Sequence, residues 1–245
     1  MNAKGAALGL VLAALVAASP LSAVADTPPA PPEPPIVTLV VPNDRDVEVV
    51  DGPRASREVL LYFHGFCGDP LAFRTWSATA ARFGTLISLR GDEACPDAPG
   101  RSRWGYDHEL ADRRVSAAIA AVSAMRATKG EAALRANELT AIGYSQGARR
   151  VEWLAARFPK RYVRVALIAG AFKPSPEPLS RRGRFLIMAG AWDNRKHLFD
   201  ASSELARAGL TVRYGELPRA RHGEYGPNAM QAMHAGLEWL FNNVP

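Results

Sequence analysis

Hydrophobic positions in this chain come in two rhythms that take turns. Short apolar runs bounded by Gly, Pro, Asp and Asn read as strands, and longer segments with apolar residues three or four apart read as helices. Ile36–Val41 and Asp46–Val50 predict two short strands joined by the turn residues Pro42-Asn43-Asp44. Glu58–Phe63 (EVLLYF) is continuous and β-rich, as for a strand buried on both faces. Further strands are predicted at Thr85–Leu89, Glu138–Tyr144, Val163–Ala169, Arg184–Ala189 and Leu210–Leu217. Helical spacing covers Pro70–Phe83, the alanine-rich Asp107–Ala127, Gly147–Phe158, Lys196–Ala208 and Pro227–Phe241. Gly91–Gly105, rich in Gly, Pro and Asp, reads as a loop. Strands alternating with helices predict an α/β domain, a doubly wound and mostly parallel sheet covered on both faces. Ligands in such folds bind beyond the carboxyl ends of the strands, so function is to be sought in the loop after each strand.

The pattern breaks down at the start of the chain. One basic residue, Lys4, precedes the apolar run Gly5–Ala18, which is too short to span a bilayer, and Ala23-Val24-Ala25 offers the small residues of a cleavage site. Residues 1–25 therefore read as a secretory signal peptide, and 26–35, containing TPPAPPEPP, as a proline-rich tether. The domain proper is 36–245, and export to the periplasm or beyond is expected. Composition changes this picture little. The 245 residues are 48% hydrophobic and 22% charged, which suits one globular domain and excludes bulk disorder, a multispan membrane protein and solenoid repeats. The formal charge of +6 comes mostly from arginines spread along the chain, and no nucleic-acid motif accompanies it. Two cysteines are too few for a Cys-rich zinc site. With no metal-ligand spacing and no glycine-rich phosphate loop, the expectation is a protein without cofactor or metal.

Four predicted strand-end loops carry the chemistry. Gly143-Tyr144-Ser145-Gln146-Gly147 is a G-x-S-x-G between a strand and a helix, the context in which a sharp turn lifts the serine above a sheet. His64-Gly65-Phe66-Cys67-Gly68 follows Glu58–Phe63 and can supply one backbone N–H to a developing oxyanion, from Phe66 or alternatively Cys67; Gln146 supplies the second. His64 itself is expected to bond neighbouring backbone. Asp193 follows the strand Arg184–Ala189, and His222 follows Leu210–Leu217. A serine hydroxyl needs an imidazole to take its proton, and the imidazole needs a carboxylate to hold its tautomer. Ser145, Asp193 and His222 stand in the chain order this architecture requires. Asp200 is the rival carboxylate, but it falls inside a predicted helix. His108, His197 and His234 read as structural or surface histidines.

HGFCG, GYSQG, the Asp193 loop and His222-Gly223 together resemble the α/β-hydrolase superfamily from Glu58 to the C-terminus. Within it the chain is similar to small serine carboxylesterases of the phospholipase/carboxylesterase, dienelactone-hydrolase-like and polyhydroxybutyrate-depolymerase-like groups. Arg103-Trp104-Gly105-Tyr106-Asp107 is similar to a segment some of these carry near the substrate. Two departures stand out: Ser145 where dienelactone hydrolases use cysteine, and Phe66-Cys67 where lipases often have glycines. Gly170–Gly183 is too short to hold a cap domain. The resemblance implies a serine hydrolase acting on a small-molecule or polymeric carboxylic ester, without stable membrane insertion or nucleic acid, and leaves oligomeric state open. An amidase or peptidase with the same residues, or an inactive binding protein on the same fold, are the alternatives. Trp104, Tyr144 and Trp192, with Phe66 and Tyr106, line the substrate pocket on this reading or else pack in the core. Cys67 and Cys95 lie in loops at the same sheet edge, and in an exported protein a disulfide between them is expected.

Overall fold

The computed structural model describes residues 33–242; the expected signal peptide and most of the expected tether lie outside them. Of the tether, Glu33–Pro35 is described and has no regular secondary structure. The main sheet is assembled from β1 (Ile36–Leu39), β2 (Val47–Val50), β3 (Val59–Phe63), β4 (Thr85–Leu89), β7 (Leu139–Tyr144), β8 (Tyr162–Ile168), β9 (Arg184–Gly190) and β10 (Thr211–Leu217). Their spatial order is β1-β2-β4-β3-β7-β8-β9-β10. β1 pairs with β2, and β2 with β4, in antiparallel fashion; the remaining pairs are parallel. The interleaved helices are α1 (Ser77–Phe83), α2 (His108–Thr128), α3 (Gln146–Arg157), α4 (Lys196–Arg207) and α5 (Ala229–Asn242).

The continuous apolar strands are buried on both faces because each face meets helices. Along β3, Val59, Leu61 and Phe63 pack in the layer that holds α2, α3 and α4. Leu60 and Tyr62 pack on the other face with Trp76, Met233 and Leu237 of the α1 and α5 side. β9 repeats the alternation, with Phe185, Ile187 and Ala189 on the first face and Leu186 and Met188 on the second. Side chains alternate at a period of two, so a run apolar at every position needs a core on each side. α2 buries Ala111, Val115, Ala118, Ile119 and Val122, a stripe at three- and four-residue spacing, and begins where the Asp107 carboxylate accepts the Leu110 amide at 2.7 Å.

Two segments depart from the sequence expectation. Pro70–Phe83 is not one helix: Ala72–Trp76 is a 3₁₀ turn that leads into α1. Gly91–Gly105 is not merely a loop, since β5 (Glu93–Ala94) and β6 (Ser102–Arg103) form a small antiparallel hairpin within it. Strands of two residues carry no periodicity to read. No helix or strand lies between β8 and β9, so no cap is inserted there. Among the described residues no helix is long and apolar enough to cross a membrane.

One close approach sets the geometry of the central sheet edge. α3 enters so near to β3 that a Cβ on Gly147 would lie 2.0 Å from the Phe63 carbonyl oxygen, and one on Gly143 would lie 2.3 Å from the Gly147 carbonyl oxygen. Both obstacles are backbone and cannot rotate aside. Gly147→Ala is therefore expected to destabilise the protein by about 3 kcal/mol or more, an overpacking cost at the upper end of the usual range. Urea denaturation of the variant beside the parent measures it; a loss below about 1 kcal/mol contradicts the tight approach.

Candidate active site

Parallel strands bring their carboxyl ends to one edge, and there the four loops converge. The turn between β7 and α3 holds Ser145 at φ 52°, ψ −113°, a strained conformation for a residue with a side chain. It is held by the Ser145 amide donating to the Ile168 carbonyl at 2.8 Å and the Ala148 amide donating to the Ser145 carbonyl at 3.0 Å. The Ser145 Oγ lies 3.1 Å from Nε2 of His222. The other ring nitrogen, Nδ1, lies 3.0 Å from Oδ2 of Asp193. An ionised carboxylate only accepts, so Nδ1 carries the proton and Nε2 is left to accept from the serine hydroxyl. Asp193 is mostly buried, and its second oxygen accepts the Asn194 amide at 2.7 Å.

The other acidic and imidazole candidates have different partners, and Asp193 has no capping role that competes with His222. Asp193 does not cap α4, whose N-terminus has no side-chain cap. Asp200 bonds Lys196 on its own helix at 2.6 Å. His197 bonds the Gly170 carbonyl through Nε2 at 2.8 Å, His234 packs against Phe83, and His108 accepts from Arg150 at 2.9 Å.

His64 is fully buried and structural, as expected. Its Nδ1 donates to the Gly65 carbonyl at 2.8 Å, which leaves Nε2 to accept the Gly91 amide at 3.1 Å, with the Ser102 hydroxyl at 3.2 Å. Burial holds its pKa down to about 4, so the ring stays neutral. The Trp104 indole donates to the His64 carbonyl at 2.8 Å. Gly68 forms a bridge with Ser102, and Cys67 is disulfide-bonded to Cys95, with Cα atoms 5.5 Å apart. The β5–β6 hairpin thus grips the loop that carries Phe66 through a covalent bond, a backbone bridge and the His64 ring. Among the described residues the amides of Phe66 and Gln146 have no hydrogen-bond acceptor.

Some contacts had no signal in the sequence. The Gln146 side chain accepts the Trp104 amide at 3.1 Å and donates to the Trp104 carbonyl at 3.1 Å, clamping the segment after β6 onto the first turn of α3. The Tyr144 hydroxyl accepts the Gly223 amide at 2.7 Å, fixing the backbone beside His222. Two cavities flank Ser145. One, of about 380 Å³, is lined by Asp69, Arg101, Tyr144, His222, Gly223 and Tyr225. The other, of about 470 Å³, is lined by Trp104, Tyr106, Gln146, Arg149, Trp153 and Phe172. Phe66 and Ser145 border both. Trp104 and Tyr144, expected at the substrate, are cavity walls. Trp192, expected there too, is 61% exposed and lines neither; the turn that brings Asp193 under His222 leaves Trp192 on the solvent side.

No protein-family model matches the chain, and no curated protein matches it in sequence. Solved structures do match in shape. A carboxylesterase from Mesorhizobium loti shares 24% identity at a TM-score of 0.56, over 81% of this chain and 97% of that one. A Bacillus cereus carboxylesterase shares 18% at 0.55, over 80% and 93%. A crystal structure of a mutant of the esterase rPPE shares 13% at 0.62, over 87% and 84%. The fold is that of the α/β-hydrolases, of the kind these esterases have.

Two outcomes follow from the loop contacts. Cys67 and Cys95 are 28 positions apart, and opening their disulfide, by reduction or by Cys95→Ser, is expected to remove about 3–4 kcal/mol on the chain-entropy model, read by denaturant titration. His64 titrates near its ordinary 6.5 when unfolded but near 4 when folded. Its contribution is complete above pH 6.5 and is lost as pH falls towards 4, about 3 kcal/mol in all. Stability of the parent is expected to fall more steeply between pH 6.5 and 4 than that of His64→Gln; parallel slopes would contradict the assignment.

Proposed function

We propose that the protein is a serine hydrolase that cleaves carboxylic esters through Ser145, His222 and Asp193. The observation that carries this reading is the hydrogen-bonded chain from the Ser145 hydroxyl through His222 to Asp193, near two amides that have no acceptor among the described residues. An ester carbonyl placed over Ser145 is attacked by Oγ as Nε2 of His222 takes the hydroxyl proton. The new C–O bond pushes the carbonyl electrons onto oxygen, and the Phe66 and Gln146 amides donate to that oxyanion. Asp193 stays ionised and stabilises the imidazolium. Collapse expels the alcohol, which takes its proton from His222 and leaves an acyl group on Ser145. Water, deprotonated by the same imidazole, repeats the sequence and releases the acid. The carboxylesterases that share the fold support an ester substrate. The disulfide supports work in an oxidising compartment, in line with the signal peptide expected at residues 1–25.

Short-chain 4-nitrophenyl esters are the first substrates to try. Ser145→Ala is expected to lower kcat by about a thousandfold or more, and Asp193→Asn by about a thousandfold with KM little changed. A fluorophosphonate is expected to add one label to the parent and none to Ser145→Ala, read by intact mass. Unchanged turnover in Ser145→Ala would falsify the assignment, and faster cleavage of an amide with the same acyl group would move it from ester to amide.

A further inference from the structure

The two cavities beside Ser145 differ in charge. The one of about 470 Å³ is walled by Phe66, Trp104, Tyr106, Trp153 and Phe172, by Arg149 and Arg150, and by no Asp or Glu. Arg149 lies over two of those rings, 5.1 Å from the Trp153 centroid and 5.5 Å from that of Phe172. It spends one bond on Glu152, at 2.8 Å, and its side chain remains 34% exposed. Glu152 is itself divided, since its other oxygen accepts the Ser175 amide at 3.0 Å. Arg150 is 1% exposed. Its Nη1 reaches two neutral acceptors, the Asp107 carbonyl at 3.2 Å and His108 Nδ1 at 2.9 Å. Among the described residues its Nε and Nη2 have no hydrogen-bond partner and no carboxylate forms an ion pair with it, while Asp92, Asp107 and Glu93 favour its charge from further away. A buried cation with no carboxylate in direct contact is costly, and its field is weakly screened. An anion held in the adjoining cavity offsets that cost.

Chemistry assigns the two sides. The leaving alcohol must take its proton from Nε2 of His222, so it leaves on the side that His222 lines. The acyl group then occupies the arginine side, which His222 does not line. We infer that this cavity is an acyl pocket for a carboxylate-terminated chain, so that the preferred substrates are monoesters of dicarboxylic acids. The inference rests on the ester-hydrolase reading. Arg149, flattened against Trp153 and Phe172, meets the distal carboxylate, and Arg150 adds attraction from the same wall. The aromatic rings take the methylene chain between the two ends.

The test compares two 4-nitrophenyl esters of equal length at low ionic strength: the monoester of glutaric acid and its methyl-capped, neutral counterpart. In the parent protein kcat/KM is expected to favour the acid by about tenfold or more, as a charge-assisted contact of ordinary strength gives. Arg149→Gln is expected to reduce that preference to near unity, chiefly through KM, and Arg149→Lys to restore part of it. Glutarate itself is expected to bind the parent in a calorimeter and to bind Arg149→Gln at least about tenfold more weakly. Equal rates on the two esters with no glutarate binding overturn the acyl-pocket inference and leave the ester-hydrolase reading standing. Glutarate binding without turnover of either ester does the reverse: the anion pocket stands and the esterase reading falls. An acid preference unchanged in Arg149→Gln removes Arg149 from the assignment and overturns the inference as stated.

Discussion

Helix α3 meets strand β3 with only glycine between them, and the remaining geometry at this sheet edge follows from that contact. The first turn of α3 can rest on the Phe63 and His64 carbonyls because Gly147 has no Cβ, and β7 can run directly beneath because Gly143 has none. The chain must then reverse within one residue, and Ser145 takes up the reversal at φ 52°. Strain of that kind survives only where the surroundings over-determine it. Here the sheet below and the helix beyond both do so. The same contact sets the distance between the β3 loop and the start of α3, and so fixes the Phe66 and Gln146 amides relative to one another.

A loop with an exposed aromatic residue and no regular structure is a poor place for a rigid donor unless something holds it. The β5–β6 hairpin is that support. Its grip combines bonds of different kinds: the Cys67–Cys95 disulfide, the Gly68–Ser102 bridge, the neutral His64 ring and the Trp104 indole. Gln146 closes the circuit by bonding both backbone groups of Trp104. On the opposite side Tyr144, one residue before Ser145, holds Gly223, one residue after His222. The residues on either side of Ser145 therefore brace the two loops that flank it.

The charge pattern follows a similar division of labour. Other buried or half-buried arginines are neutralised where they stand: Arg126 by Asp51 and a set of carbonyls, Arg114 by Asp44, Arg161 by Asp112 and Arg164 by Glu58. Three of these pairs tie α2 to the surrounding loops and the fourth joins β8 to the start of β3, all away from Ser145. Arg150 differs in having only neutral acceptors, and it differs at the wall of the larger cavity beside Ser145. A basic composition alone says nothing of this, because the count of arginines does not reveal which of them lack a carboxylate.

Much of the fold was legible in order along the chain. Period-two and period-3.6 patterns located each strand of the main sheet and, apart from the start of α1, each helix to within a few residues, and GYSQG between an apolar strand and a helix located the elbow, because these signals depend on neighbours in sequence. The same local signals placed Asp193 and His222 at strand ends, and parallel pairing then made convergence of the loops the expected result. What tertiary structure decided lies where partners are far apart. Two-residue strands form only because β5 finds β6. Gln146 and Trp104 meet across 42 positions, and Tyr144 and Gly223 across 79. Trp192 looked like Trp104 in sequence yet faces solvent, while Arg149 and Arg150, unremarked in a basic chain, line a cavity. Local periodicity encodes which face of an element is apolar; which side chains meet above the sheet depends on the packing of elements that the chain itself keeps far apart.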